Sequence, residues 1–468
     1  MFTLEGYNIK VAKIIRDPIY HFIEIPEKLL PFVDNKFVQR LRWVNQLPLE
    51  QLVYPSAQHS RFEHSLGTMH LSMRAAISLI NNSKRKLIEV FNKDDNFKSL
   101  DPKEKIKTFI LSAGLSGLLH DIGHAPFSHT LETASELSGG SFSYNHEDYG
   151  FKIVKYLLEE NKGGVEENIR NTVCSVLNKE IKLEELSPVG ILIRNLIDNS
   201  FDTDKGDYLL RDSYHCGVNY GIYDHERLWR NVVITSDYTL GVNRKGALEA
   251  WRLMLARYFM YKNVYYHHTR NITDAMLIDI IVRASENKNF KIPSVSNEKE
   301  RAYFLSWRDS DFLNYLENFK SDEIKEIIER FMSRKLYKKS FTLKLTQYPF
   351  LLDKEDEIID KIKEIKDKFD KKHISFIFII LDDKNIVPPI FEKKVQEDIR
   401  IQIDEKKSVP LANYLGFSFE EEVIEKALKN YSKTIHFFIQ KTDKNMENRI
   451  KETIEEELNK LNNKFKVK

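Results

Sequence analysis

The chain has 468 residues and 42% hydrophobic side chains, enough for a large core or for two to three domains. Lys plus Arg total 72 against 70 Asp plus Glu, a formal charge of +2, so long-range attraction to nucleic acid gets no support from composition. Two cysteines, Cys174 and Cys216, exclude a disulfide framework and fit a reducing cytoplasm, where the protein is expected to reside. Met1 to Lys10 has no continuous apolar stretch, so no signal peptide is expected. The most apolar run, Ile374 to Leu381, has eight residues, far short of the roughly 20 a membrane helix needs.

Helical signals dominate to about residue 285. Ser60-Arg61-Phe62-Glu63 has the form of a capping box. Leu66, Met69, Met73, Ala76, Ile77 and Ile80 follow at helical spacing, which puts Arg61 and His64 in the first turn of a helix. Asp101-Pro102 opens a second, strongly apolar helix, predicted to end near Gly123 with His120 and Asp121 in its last turn. Ser187-Pro188 opens a third. In the stretch from Asp204 to Asp212, the residues Asp204, Tyr208 and Asp212 share one helical face. Gly206 inside it costs up to about 1 kcal/mol against Ala, tolerable where something approaches closely. Past residue 285, β-prone runs at Ser340 to Leu345, His373 to Leu381 and Thr434 to Ile439 alternate with Lys/Glu-rich helices at Glu355 to Lys368 and Met446 to Leu461. Residues 382 to 412, with Pro388-Pro389 and Pro410, read as a long exposed excursion. The expectation is a mainly α protein. An all-helical core spans 1–285, a helical extension 286–345, and a smaller α+β region 346–468 that serves assembly or regulation, or is only a solvated helical face.

Chemistry concentrates in the run from His120 to His129. It holds His120, Asp121, His124 and His129 among Gly, Ala, Pro and Ser. A lone helical histidine is more often a core or surface residue than a ligand. Four such groups in ten residues each need a partner when buried, which a purely structural segment gains little from supplying. Imidazole with carboxylate suits Mn²⁺, Mg²⁺, Fe²⁺, Co²⁺ or Zn²⁺ and leaves positions open for water or phosphate oxygen.

The order His64, His120-Asp121, Asp204 resembles the H…HD…D pattern of the HD-domain phosphohydrolases. Gln39-Arg40-Leu41-Arg42, Gln46-Leu47, Tyr54-Pro55-Ser56-Ala57, the stretch from His59 to Gly67, and Asp204-Lys205-x-Asp207-Tyr208-x-x-Arg211-Asp212 narrow the match. They are similar to the deoxynucleoside triphosphate triphosphohydrolase branch over roughly residues 10 to 280, and more weakly through Arg308 to Lys339.

That resemblance implies a divalent metal on His64, His120, Asp121 and Asp204, and water attack at the α-phosphorus of a deoxynucleoside triphosphate. It implies His129 as the acid for the leaving oxygen, oriented by Glu132, where the vertebrate enzyme has Asp. His124 and His146 would contact phosphates, and Arg61 and Lys205 would offset their charge. Tyr208 and Asp212 would hold the deoxyribose, Tyr266 would pack against C2′, and Gln46 and Leu47 would approach the base. Pro48-Leu49-Glu50 replaces a family glycine run, so base selectivity is not transferred. The resemblance also implies a homo-oligomer and leaves open whether an activating nucleotide is needed. Two other functions fit the HD set alone: a phosphohydrolase or phosphodiesterase acting on another nucleotide or a nucleic acid end, and a non-catalytic nucleotide sensor.

Overall fold

The structure is a computed structural model and describes residues 4–319, 321–352, 354–370, 376–381, 399–416, 434–439 and 444–466. The fold is mainly α. Its centre is the antiparallel packing of helix Arg61–Asn82 on helix Pro102–Leu119. Ser60 caps the first, accepting from the Glu63 amide while the Glu63 carboxylate returns to the Ser60 amide. Asp101 caps the second, with Pro102 in its first turn. A Cβ on Gly117 would lie 2.8 Å from the Thr68 carbonyl oxygen, so glycine there is what lets the two backbones approach. Leu66, Met69, Met73, Phe109, Leu115, Leu118 and Leu119 are buried between them and their neighbours, each full burial being worth about 1.5–3 kcal/mol before entropy.

Around this pair lie helices Ser128–Leu137, His146–Glu160, Glu167–Leu177, Pro188–Ile197, Thr203–Cys216, Ala247–Met260 and His268–Ser285. The structure adds two short hairpins to the expected helices. Strands β1 (Val11–Asp17) and β2 (His21–Pro26) pair antiparallel, as do β3 (Val232–Ile234) and β4 (Leu240–Asn243).

The C-terminal region is α+β, as expected. Strands β5 (Lys338–Lys344), β6 (Phe376–Leu381) and β9 (Thr434–Ile439) form a sheet of order β5-β9-β6, covered by helices Glu355–Asp370 and Lys444–Lys466. Its core, including Phe376, Phe437, Ile358, Ile362, Ile450 and Ile454, is separate from the main one. His373 lies outside the described residues.

Two local expectations are corrected. Pro388-Pro389 lies outside the described residues, but 399–412 is not an excursion. It forms β7 (Arg400–Asp404) and β8 (Lys407–Pro410), and β7 joins β4 in parallel, burying Ile399 and Ile401 in the main core. The apolar helix ends at Leu119, before the predicted last turn. His120 leaves it as the C-cap, and its own ring Nδ1 takes the Gly117 carbonyl oxygen at 2.8 Å, satisfying a group the ended helix would orphan.

Candidate active site

Three helix ends meet at one point. His64 enters from the first turn of helix Arg61–Asn82. His120 and Asp121 leave the end of helix Pro102–Leu119, and Asp204 stands in the first turn of helix Thr203–Cys216, which Asp202 caps. Ligand atoms of His64, His120 and Asp204 all lie within 4.8 Å of one another. Asp121 joins them, 3.3 Å from His120 Nε2 and 3.7 Å from His64 Nε2. All four metal residues expected from the sequence are therefore brought together.

The donor set fits a cation. His64 Nδ1 is 2.8 Å from an Asp207 carboxylate oxygen, and His120 Nδ1 is bonded to a backbone carbonyl. Carboxylate and carbonyl only accept, so each Nδ1 carries hydrogen and each Nε2 presents its lone pair to the centre. Both Nε2 atoms are buried without a hydrogen-bond partner. His64 Nε2 lies 3.0 Å from Asp204, a close contact without hydrogen-bond geometry. Electrostatics point the same way. Burial works against charge on His64, yet the neighbouring carboxylates of Asp204 and Asp207 lift its pKa to about 10. Asp204 is held far below the usual carboxylate range, with burial opposed by His120 and His64. The centre thus demands positive charge.

A second cluster lies beside the first. His129, the most exposed of the three, and the half-buried His146 both bond Glu132, with His129 Nδ1 at 3.3 Å and His146 Nδ1 at 2.5 Å. Burial raises the Glu132 pKa, but the bonds from His129 and His146 outweigh it and hold the carboxylate ionised. The extra methylene of glutamate reaches both rings. His124 stacks on His146 with centroids 4.1 Å apart and points Nε2 at Asp121, 3.3 Å away. Burial, then Arg61, depresses the His124 pKa and keeps it neutral. The turn is braced by Arg40, which donates to the His124 carbonyl oxygen. Phe127 adopts a left-handed conformation (φ 49°) as the N-cap of the His129 helix.

Both clusters open into one cleft of about 680 Å³, also lined by Arg61, Lys205, Tyr208, Asp212, Tyr265, Tyr266, Gln46 and Leu47. Arg61 is ion-paired to Asp121 at 2.8 Å. Lys205 is not a solvated helix lysine: it pairs with the buried Asp202 at 2.5 Å. Every residue expected to bind substrate lines this cleft.

The sugar end holds more residues than the sequence indicates. Tyr266 lines the cleft as expected, and its neighbour Tyr265 adds a bond, donating to Asp212 Oδ2 at 2.7 Å, while His59 Nε2 meets Oδ1 at 2.8 Å. Residues Tyr261–Tyr265 form a π turn after helix Ala247–Met260, a register change frequent at functional sites. Burial, with Asp212 and Tyr208 nearby, raises the Tyr265 pKa and keeps its proton. His59, Asp207 and Tyr265 had no role in the sequence reading. The Asp204-x-x-Asp207 spacing was the signal for Asp207. At the far end, Glu50 pairs with Arg270 at 3.2 Å, and Ile380 of β6 completes the wall. The C-terminal region is tied to this side. Lys366 pairs with the buried Asp279, and Lys363 donates to the Leu137 carbonyl oxygen.

The HD-domain family model matches residues 61–199, and the HD-associated region matches 223–403. An uncharacterized protein of Methanocaldococcus jannaschii is 33% identical over 333 residues, covering 70% of this chain and 60% of that protein. The deoxynucleoside triphosphate triphosphohydrolase SAMHD1 homolog of Dictyostelium discoideum is 30% identical, with coverage of 70% and 60%. The human enzyme SAMHD1 is 24% identical, with coverage of 71% and 55%. The chain thus spans about 60% of the length of the first two relatives. A crystal structure of a hypothetical protein from Aquifex aeolicus superposes with TM-score 0.62 at 25% identity, over 95% of this chain and 99% of that one. A phosphohydrolase from Bacteroides thetaiotaomicron shares the fold, with TM-score 0.65 at 22% identity over 92% and 100%. No helix among the described residues is long and apolar enough to cross a membrane. With both matched regions falling on the elements that build the cleft, the chain belongs to the HD-domain phosphohydrolases, in the branch similar to the deoxynucleoside triphosphate triphosphohydrolases.

Proposed function

We propose that the protein hydrolyses deoxynucleoside triphosphates to deoxynucleoside and inorganic triphosphate, by water attack at the α-phosphorus. The observation that carries this reading is the continuity, within one cleft, of the candidate metal centre, the His129–Glu132–His146 cluster and the Asp212–Tyr265 pair. The triphosphohydrolase names of two relatives support it.

A divalent cation on His64, His120, Asp121 and Asp204 supplies Lewis acidity and an acidified water when bound. The chain's own residues do the rest. His129 is exposed to the cleft and donates a proton to the departing 5′-oxygen, an otherwise poor leaving group. Glu132 orients His129 and His146 and stabilises the charged imidazole. His124 and His146 contact phosphate oxygens through ring N–H groups, and Arg61 and Lys205 offset the triphosphate charge. Asp212 accepts from the 3′-hydroxyl, and Tyr208 and Tyr266, with Tyr265 beside them, wall the 2′ side, leaving a ribose hydroxyl neither space nor partner. Gln46 and Leu47 face the base.

Homo-oligomerisation belongs to the same proposal, and the need for an activating nucleotide is a question for the same experiment. The deciding experiment incubates purified protein with each dNTP and Mn²⁺ or Mg²⁺, with and without a second nucleotide, and resolves the products. Inorganic triphosphate with free deoxynucleoside is expected. Pyrophosphate or a monophosphate would overturn the reaction as written, and inertness toward all dNTPs would transfer it to another nucleotide.

A further inference from the structure

Asp207 lines neither the substrate cleft nor the smaller cavity of about 160 Å³ beside the metal residues, yet the centre is built against it. We propose that Asp207, clamped by Arg211 beneath Gly67, is a positioning residue that fixes the tautomer and ring angle of His64 and so sets how tightly the centre holds its cation. This rests on the reading of His64 as a ligand.

The arrangement is a buried chain of charge. Asp207 Oδ2 is 2.8 Å from His64 Nδ1 and accepts from Arg211 Nε at 2.9 Å, while Oδ1 accepts from Arg211 Nη2 at 2.8 Å. The opposite side of the guanidinium, Nη1, reaches Asp17 at 2.8 Å. Asp17, at the end of β1, is held by the amides of Ile19 and Tyr20. His64, Asp207 and Arg211 are each 0% exposed. Two carboxylates share one guanidinium, so the chain carries one surplus negative charge, aimed at the back of a ligand ring.

Two features argue that this is more than core stabilisation. A buried ion pair is a poor stabiliser, because desolvation consumes most of its Coulombic gain. Apolar residues of equal volume would hold these helices together as well. Space is also reserved for it: a Cβ on Gly67 would lie 1.8 Å from Asp207 Oδ1 and 2.4 Å from Arg211 Nη2. Helix Thr203–Cys216 thus sends one carboxylate, Asp204, into the centre and another, three residues on, behind the opposing imidazole. A carboxylate on the far nitrogen of a ligating histidine locks its orientation and raises its basicity.

The test measures Mn²⁺ affinity by the EPR signal of free ion, on folded protein checked by circular dichroism. His64→Ala should remove the site; wild-type affinity in that variant would sink the ligand reading itself. Asp207→Asn, nearly isosteric, should bind Mn²⁺ roughly 10–100-fold more weakly, and Gly67→Ala should move in the same direction. Loss of binding in His64→Ala with unchanged affinity in folded Asp207→Asn would overturn the positioning role alone. Should neither Asp207→Asn nor Gly67→Ala fold, ¹⁵N NMR of the unaltered protein loaded with Zn²⁺ decides. A His64 carrying hydrogen on Nδ1 is required, and hydrogen on Nε2 would overturn the proposal.

Discussion

Tyr265 donates its phenolic hydrogen to Asp212, so the carboxylate at the sugar end of the cleft is held between a tyrosine on one oxygen and His59 on the other. Tyr265→Phe removes that donor and keeps the ring. It is expected to raise KM for a deoxynucleotide several-fold while still rejecting ribonucleotides. Tyr265→Ala should also relax sugar discrimination by roughly 10–100-fold. Paired kcat/KM measurements on a dNTP and its ribonucleotide check both. An equal loss on the two sugars would assign Tyr265 to general packing instead.

Stripping the protein with a chelator is expected to abolish hydrolysis, with activity returning on addition of Mn²⁺ or Mg²⁺. Asp204→Ala should lower kcat/KM by about 10³-fold or more, equivalent to about 4 kcal/mol of transition-state stabilisation. Full activity in the chelated protein would rule out the metal mechanism.

Loss of the acid should show mainly in kcat. His129→Gln is expected to reduce kcat by roughly 10²–10⁴-fold with little change in KM. Substrates with a better leaving group than a sugar alkoxide should recover part of that loss. Glu132→Gln should cost less in rate, because both histidines stay in place while their carboxylate partner is neutralised. A His129→Gln enzyme as slow on the activated substrate as on the natural one would argue against proton donation.

Acid sensitivity follows from His70. Burial, then the charge of Arg74, pushes its pKa down to about 3. The unfolded chain, with a value of about 6.5, binds the proton first. Stability is therefore intact above about pH 6.5 and falls as pH drops toward 3, by at most about 5 kcal/mol. Asp309 acts in the opposite sense. Burial lifts it to about 6, so its contribution is full below about pH 3.9 and is lost as pH rises through 6. Urea midpoints across pH 4–8 for the wild type and His70→Gln separate the two. A His70→Gln profile parallel to wild type would remove His70 as the cause.

Gly206→Ala inverts a helix-propensity expectation. Alanine is the better helix former by up to about 1 kcal/mol. A Cβ here would nevertheless sit 2.6 Å from the Trp229 ring and 2.8 Å from Leu71. Tyr223 also bonds the Gly206 carbonyl oxygen while accepting from the Trp229 indole. Destabilisation of about 1–3 kcal/mol is expected from overpacking, measured as the shift in ΔG of unfolding in urea. A stabilised variant would show that the ring pair yields readily.

Ligand chemistry makes much of this site legible in one dimension. Few residue types bind a divalent cation, and helix ends announce themselves through Ser60 and Asp101-Pro102, so His64, His120 and Asp121 can be placed before any coordinates, with Asp204 following from its motif. Tyr265 and Tyr266 cannot be separated that way. They are adjacent and alike, and which one reaches Asp212 is decided by a π turn that shifts the phase of the helix. Asp207 is visible as a residue but not as a function, because its partner belongs to a helix more than a hundred positions away. Strands β7 and β8 escaped for a related reason. Their pairing with β4 is non-local, and the prolines on either side suggested exposed chain.

Ile380 places the C-terminal region in the wall of the cleft. The strand that carries it joins the two hydrophobic cores, Ile377 lying in the main one and Phe376 in the second, and the Lys366–Asp279 pair adds to the link. Substitutions on β6, far in sequence from every histidine of the centre, are therefore expected to alter what the cleft admits while leaving its metal residues in place.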